Sequence, residues 1–233
     1  MGTRYTGDGL CVDMYPQFLL PDLADQLLLA CNQLEWKSDQ RRLNITFGDP
    51  GLVYTVTFGS NTVHRVAVPW SQMTGLWEIK QLVEAEVGQL FNFCAIMRYP
   101  SGQAVIKRHR DKEMVPGSII AGLSVGVQRT LQFTPPNSSP EQSLPLDLPH
   151  GSLYVMRPPT NDIWTHEILP STTDHCRYSL TFRYVPNTVT INESIVRRCS
   201  AVLQSGPRCG QPCGNRISSI GGTFCGYHSY NTH

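Results

Sequence analysis

Apolar residues along this chain change their period twice before settling. Leu23, Leu27, Leu28, Cys31 and Leu34 recur at helical spacing behind a Pro21-Asp22 start, which predicts an amphipathic helix within residues 18–36. Residues 41–68 then alternate, broken by the turn signal Gly48-Asp49-Pro50-Gly51, and predict strands at 52–58 and 63–68. A second helix is predicted from about 74 to 90, with Trp77, Leu82, Val83, Val87 and Leu90 available to pack. Beyond it come short strand-like runs at 91–99, 119–127, 130–133, 152–156 and 178–185. Residues 1–16 show no periodicity and predict an irregular lead-in, while 135–149 read as a polar, proline-containing loop. Two helices followed by strands without helices between them predict an α+β chain with a β-barrel or jelly-roll core.

Composition narrows the class. A hydrophobic content of 40% and a charged content of 16% suit a soluble globular chain, and 233 residues suit one core with a small appendage. Nineteen Lys+Arg against 18 Asp+Glu exclude a strongly basic nucleic-acid coat. Local basic clusters remain, at Arg41-Arg42 and at Lys107, Arg108, Arg110 and Lys112, and these read either as solvated charges or as phosphate contacts. No run of 18 apolar residues predicts a membrane span, and the first residues lack the apolar stretch of a secretory signal. The expectation is a monomeric intracellular protein of the nucleus or cytoplasm, without a membrane partner. Cys11, Cys31, Cys94 and Cys176 are scattered, as buried thiols of a reducing compartment would be.

His109 and Asp111 stand two apart, so on extended backbone both point to one face and can reach one ion. Two nitrogen ligands and a carboxylate, with positions left open, form the site of non-haem iron(II) oxygenases. His166, in an alternating stretch after the 152–156 strand, is a candidate third ligand; His150, beside a turn glycine, is a weaker one. Alternation over residues 177–183 places Arg177, Ser179, Thr181 and Arg183 on one strand face. Inward-facing arginines in a small barrel need a partner, and a dicarboxylate matches the guanidinium fork.

These pieces together resemble the AlkB family of iron(II)- and 2-oxoglutarate-dependent dioxygenases, particularly its duplex-DNA-repairing animal branch. The resemblance rests on Phe91-Asn92-Phe93, Arg98-Tyr99, His109-Arg110-Asp111-Lys112-Glu113 and Pro116-Gly117-Ser118. It continues through His150-Gly151-Ser152-Leu153, Pro159-Thr160-Asn161, Trp164-Thr165-His166 and residues 177–183, and covers roughly 18–186. It implies a double-stranded β-helix core with flanking N-terminal helices. It also implies His109, Asp111 and His166 as iron ligands and Arg177 on the distal carboxylate of 2-oxoglutarate, assisted by Tyr99 and Ser179. Arg183 falls near the metal-chelating end of the cosubstrate, with Thr181 between the two arginines. The implied activity is oxidation of an N-methyl group on 1-methyladenine or 3-methylcytosine in DNA, with release of formaldehyde, succinate and CO2.

Phe47-Gly48-Asp49 and Tyr54-Thr55 resemble the family's nucleotide-recognition hairpins, giving a lid at about 38–68. Substrate contacts are expected from Tyr54, Val56, Phe58, Arg110 and Glu113, the last as a negative neighbour for a cationic base. Two positions depart from the family. Met97 stands where an asparagine usually helps to hold 2-oxoglutarate, and the base-stacking aromatic falls at Val56 or Phe58 depending on alignment. These departures keep two alternatives in view: an oxygenase acting on RNA methyl marks, and a catalytically weak nucleic-acid-binding protein.

The tail is a separate unit. Cys199, Cys209, Cys225 and His228 supply one tetrahedral zinc set, with Cys213 to spare. About 35 residues do not build a core unaided, so a metal is the expected staple. The predicted organisation is a dioxygenase domain over 1–186, a linker over 187–197 and a Cys3His zinc module over 198–233. Arg197, Arg198, Arg208 and Arg216 against Glu193 make that module basic and suit it to a second grip on nucleic acid, with protein docking as the alternative.

Overall fold

A computed structural model of the chain describes residues 2–36, 43–58, 61–112, 114–136 and 142–187, all within a compact unit running from Met1 to Thr188. Glu113, Arg41-Arg42, most of the expected linker and the zinc set Cys199, Cys209, Cys225 and His228 lie outside the described residues. The elements in chain order are β1 (Thr3–Gly7), β2 (Leu10–Tyr15), α1 (Pro21–Asn32), β3 (Leu43–Gly48), β4 (Val53–Phe58), β5 (Asn61–Val66) and β6 (Val68–Pro69). After a 3-10 turn come α2 (Leu76–Val87), β7 (Phe93–Tyr99), β8 (Ile106–His109), β9 (Ile120–Gly126), β10 (Arg129–Thr134) and β11 (Leu144–Leu148). The last are β12 (Ser152–Met156), the short α3 (Thr160–Ile163), β13 (Thr165–Ile168) and β14 (Arg177–Arg183). None of the described helices is long and apolar enough to cross a membrane.

Eight strands pair in the order β1-β2-β12-β9-β14-β7-β3-β6, four in the order β11-β10-β13-β8, and β4 and β5 form a hairpin of their own. Period-two alternation sorts the large sheet into two faces. Tyr178, Leu180 and Phe182 of β14 join Leu123, Val125, Cys94 and Ile96 against Leu27 and Cys31 of α1 and Leu76, Ile79 and Val83 of α2. The other face supplies Tyr99, Ile120, Tyr154 and Met156, which pack with Leu131, Phe133, Leu146, Leu148 and Ile168 of the small sheet. Helices, large sheet and small sheet therefore stack as a jelly-roll-like fold, and β14 presents its polar stripe to the interior. Each fully buried Leu or Phe contributes roughly 2 kcal/mol to this arrangement.

Two expectations are corrected. Where an irregular lead-in is expected over 1–16, residues 3–15 form a hairpin, because Gly7-Asp8-Gly9 turns the chain with positive φ throughout. The strand β2 then joins the large sheet through β12, burying Val12 and Met14. The loop expected at 135–149 contains β11, whose Leu146 and Leu148 are buried. Its Pro145 is tolerated because β11 is an outer strand of its sheet, where no ladder donor is needed on the open side. The helices are shorter than their apolar patterns, and α2 is bracketed by Gly75 and Gly88, both left-handed.

Arg129, unremarked by its sequence context, is 2% exposed and donates to the carbonyls of Ser101, Gly102, Ala104 and Leu169. It thereby holds the loop after Tyr99 against the end of β13. Arg129→Met strips four buried or half-buried carbonyls of a charged donor and should cost about 3 kcal/mol in a denaturation measurement. A loss below about 1 kcal/mol would show that the loop holds itself.

Candidate active site

The four-stranded sheet brings the expected metal ligands together. β8 pairs with β13 so that His109 and His166 are direct cross-strand neighbours, with ring centroids 4.3 Å apart. Asp111 lies just past the end of β8, and ligand atoms of all three residues fall within 4.8 Å of one another. The His109 Nδ1–H donates to the Lys107 carbonyl at 2.9 Å, which leaves the lone pair on Nε2, 3.5 Å from Asp111 Oδ1. Burial pushes the His166 imidazole down to about 4, against the pull of Asp111, so it is neutral near pH 7. Its buried Nδ1 has no hydrogen-bond partner. Burial also raises the Asp111 carboxyl, yet Arg183 at 2.8 Å, with His109 and His166, outweighs this and holds it well below the usual carboxylate range. Two imidazole nitrogens and one ionised carboxylate on a common face fit a ferrous ion with coordination positions to spare. His150 has other employment: its Nδ1 accepts the Gly126 N–H at 2.9 Å.

Asp111 is held from behind as well. Its N–H donates to Asn161 Oδ1, and Asn161 Nδ2 donates to its carbonyl, each at 2.9 Å. Thr160, next to Asn161 on α3, exchanges two further hydrogen bonds with the Cys11 backbone of β2. Asn161→Ala should weaken ferrous binding roughly 10–100-fold, as loss of an orienting partner does, with little change in fold. Anaerobic titration with Fe(II) reads this, and an unchanged affinity would refute the role.

The large sheet supplies the polar floor. Arg177 pairs across to Tyr99 on β7 and Gly126 on β9; the next inward row is Ser152, Ser124, Ser179 and Met97; the one after is Tyr154, Gly122, Thr181 and Ala95. Arg177 is fully buried, its Nε donates to Ser124 Oγ at 2.8 Å, and its guanidinium lies 5.1 Å from the Tyr99 ring centre. Burial pulls its pKa down, with Tyr99 and Tyr154 opposing. Neither terminal nitrogen makes a hydrogen bond of good geometry, and Tyr99 is the polar group that reaches the guanidinium. A buried guanidinium so sparsely partnered is costly unless an anion completes it, and a carboxylate oxygen pair is the matching shape. Tyr99 and Ser179 are buried beside it, Thr181 is half-buried, and Met97 lies half-buried against the interior cluster.

The expected substrate contacts are less uniform. Tyr54 is 4% exposed, its hydroxyl 2.5 Å from Thr46 Oγ1 and its ring edge-on to Phe93, so it belongs to a small core rather than to an open face. Val56 is half-buried on the same cluster, and the Phe58 side chain, like Glu113, is outside the description. Arg110 is exposed and donates to the Ile163 carbonyl; Lys107, Arg108 and Lys112 are exposed, with Arg108 on Glu167. A cleft of about 150 Å3 opens on Asp111, flanked by Lys112, Met114, Met156 and Arg157. In the sequence Asn161 stands out only as part of a motif, and Ser124, Tyr154 and Arg129 do not stand out. For Ser124 and Arg129 the one legible signal is a polar residue in an otherwise apolar strand.

Comparison with known proteins agrees with this geometry. The 2OG-Fe(II) oxygenase superfamily profile matches residues 54–183. Over 160 residues the chain is 36% identical to the mouse (Mus musculus) DNA oxidative demethylase ALKBH2, covering 65% of this chain and 64% of that one. Human (Homo sapiens) ALKBH2 is 39% identical over 58% of this chain and 52% of its own. The rat (Rattus norvegicus) alpha-ketoglutarate-dependent dioxygenase alkB homolog 3 is 30% identical over 75% of this chain and 64% of its own. The chain thus spans between about half and two thirds of the length of these relatives. Among solved structures, OsALKBH1 superposes with a TM-score of 0.55 at 12% identity, covering 78% of this chain and all of that one, a likeness of fold. With its ligand triad assembled and more than half of its length matched, the chain belongs to the 2OG-Fe(II) oxygenase superfamily.

Proposed function

We propose that this protein is an oxidative demethylase of alkylated bases in DNA, with 1-methyladenine and 3-methylcytosine as its substrate class. The observation that carries the reading is a His-Asp-His cluster on the small sheet, joined through Asp111 and Arg183 to one end of the polar floor, with the buried and sparsely partnered Arg177 at the other end. The mouse and human relatives named as DNA oxidative demethylases support the choice of DNA.

In this reading His109, Asp111 and His166 hold Fe(II), and Arg177 receives the distal carboxylate of 2-oxoglutarate with Tyr99 and Ser179 beside it. The bound iron and cosubstrate supply the oxidising chemistry: dioxygen is divided between the N-methyl carbon and the 2-oxo acid, which leaves as succinate and CO2. The resulting N-hydroxymethyl group loses formaldehyde and restores the base. Arg183 keeps Asp111 ionised, so the ligand set carries one full negative charge toward the cation. His109, partly exposed, stands on the side from which a base extruded from its stack can approach. Lys107, Arg110 and Lys112, exposed next to His109 and Asp111 in the chain, add positive charge suited to phosphates. The proposed setting is the nucleus or cytoplasm, with a monomer as the working form.

The test is incubation of the protein with 1-methyladenine and 3-methylcytosine oligonucleotides, Fe(II) and 2-oxoglutarate. Formaldehyde and succinate should appear in equal amounts, and parallel single-stranded DNA, duplex DNA and RNA arms assign the preferred nucleic acid. Tight, salt-sensitive binding without succinate would overturn the enzymatic reading in favour of a binding protein. For the tail, we propose one zinc ion on Cys199, Cys209, Cys225 and His228, on the strength of their spacing. Elemental analysis of purified protein should give one zinc per chain, reduced by Cys209→Ser.

A further inference from the structure

We propose that Tyr154, seated across Gly122, is a cosubstrate-binding residue whose hydroxyl donates to the dicarboxylate held between Arg177 and the proposed metal ligands. This rests on the 2-oxoglutarate reading above and adds a residue to it. Tyr154 is on β12, and its cross-strand partner on β9 is Gly122, whose partner in turn is Thr181 of β14. A Cβ placed on Gly122 would lie 2.1 Å from the Tyr154 ring and 2.4 Å from its hydroxyl oxygen. No side chain larger than hydrogen fits there without moving the ring. The far end of the phenol therefore leans over the glycine toward the polar stripe of β14, one row from Ser179 and two from Arg177.

Its surroundings fit a ligand contact better than a core contact. Tyr154 is 5% exposed, and burial pushes its hydroxyl well above the usual phenol range, so it stays protonated and able to donate. Asp111, Arg177, Tyr99 and Arg183 all act on that hydroxyl through their charges, and no hydrogen bond to a described residue is among the influences on it. By register the phenol shares the Thr181 row, one row from Arg183, which holds Asp111, and two rows from Arg177. Met97 sits in the neighbouring row beside Ser179 and offers only a thioether, which donates nothing. A dicarboxylate drawn into this interior leaves its hydrating water behind and needs replacement donors along its length. Tyr154 supplies one where the Met97 row does not.

The experiment measures 2-oxoglutarate affinity by calorimetry, anaerobically, with Mn(II) as a redox-silent occupant of the metal site. Tyr154→Phe keeps the ring and should weaken 2-oxoglutarate about tenfold, the usual worth of one buried donor to a charged acceptor. Gly122→Ala should do the same by displacing the ring, and combining Gly122→Ala with Tyr154→Phe should add little to either. In turnover the Tyr154→Phe change should appear in KM for 2-oxoglutarate and leave KM for the oligonucleotide unmoved, a split that general loosening would not give. Tyr154→Phe affinity within twofold of wild type overturns the proposal. Arg177→Met separates the two layers of inference: if it abolishes binding while Tyr154→Phe does not, only the tyrosine assignment falls. If wild type itself binds no 2-oxoglutarate, both fall.

Discussion

Asp111→Ala will reduce formaldehyde release to background, and the loss will trace to the metal rather than to the fold. A ligand removed from a three-ligand site forfeits on the order of 3 kcal/mol of metal binding, about two decades in affinity. Here the effect is compounded by charge. Asp111 carries the negative charge of the proposed ligand set and also faces the Arg183 guanidinium at 2.8 Å. Without it, Arg183 stands beside a divalent cation with one neutralising charge fewer, and repulsion at that range in a buried site is strong. The combined loss in turnover should exceed about a thousandfold, since each 1.4 kcal/mol is a factor of ten. Equilibrium dialysis against Fe(II) should show the metal missing while the circular dichroism of the sheet stays unchanged. Retained iron with lost turnover would instead assign Asp111 a role after metal binding.

Arg177→Met should separate stability from function by moving them in opposite directions. Arg177 is a fully buried cation sparsely served by Ser124 and Tyr99, and such a group costs free energy that a methionine of similar length does not. The variant should therefore unfold at the same or a higher temperature, by a margin of up to a few kcal/mol. Its 2-oxoglutarate affinity should fall at least a hundredfold, because the carboxylate then enters a buried site with no countercharge. Thermal unfolding with and without 2-oxoglutarate reads both effects in one experiment: wild type gains from the ligand and the variant does not. A variant that is both less stable and still stabilised by 2-oxoglutarate would mean that Arg177 serves the core.

The polar stripe on residues 177–183 was legible because one strand carries it and period-two alternation is local. The same holds for His109 and Asp111. His166 was legible only as a choice between two histidines, since what decides it is the β8–β13 register, a long-range pairing that leaves no local mark. The N-terminal hairpin was missed for a related reason: Leu10, Val12 and Met14 alternate over too few residues to stand out, and their burial depends on β12, more than a hundred residues away. β11 was hidden by Pro145, which argues against a strand unless the strand is known to be an outer one. Tyr154 had no sequence signal of its own. A tyrosine in an apolar run reads as core, and only the glycine opposite reveals which way it leans.

That hairpin has a bearing on how the protein tolerates being shortened. A chain begun at residue 18 would keep every metal ligand and both arginines, yet Thr160 would lose the Cys11 backbone and Asn161 the anchor beside it. It would also leave the outer side of β12 as a bare row of amide and carbonyl groups, open to pairing with any passing strand. The hairpin over residues 3–15 thus covers an open sheet edge and braces, at a distance, the proposed iron site, and trimming it should produce aggregates poor in metal.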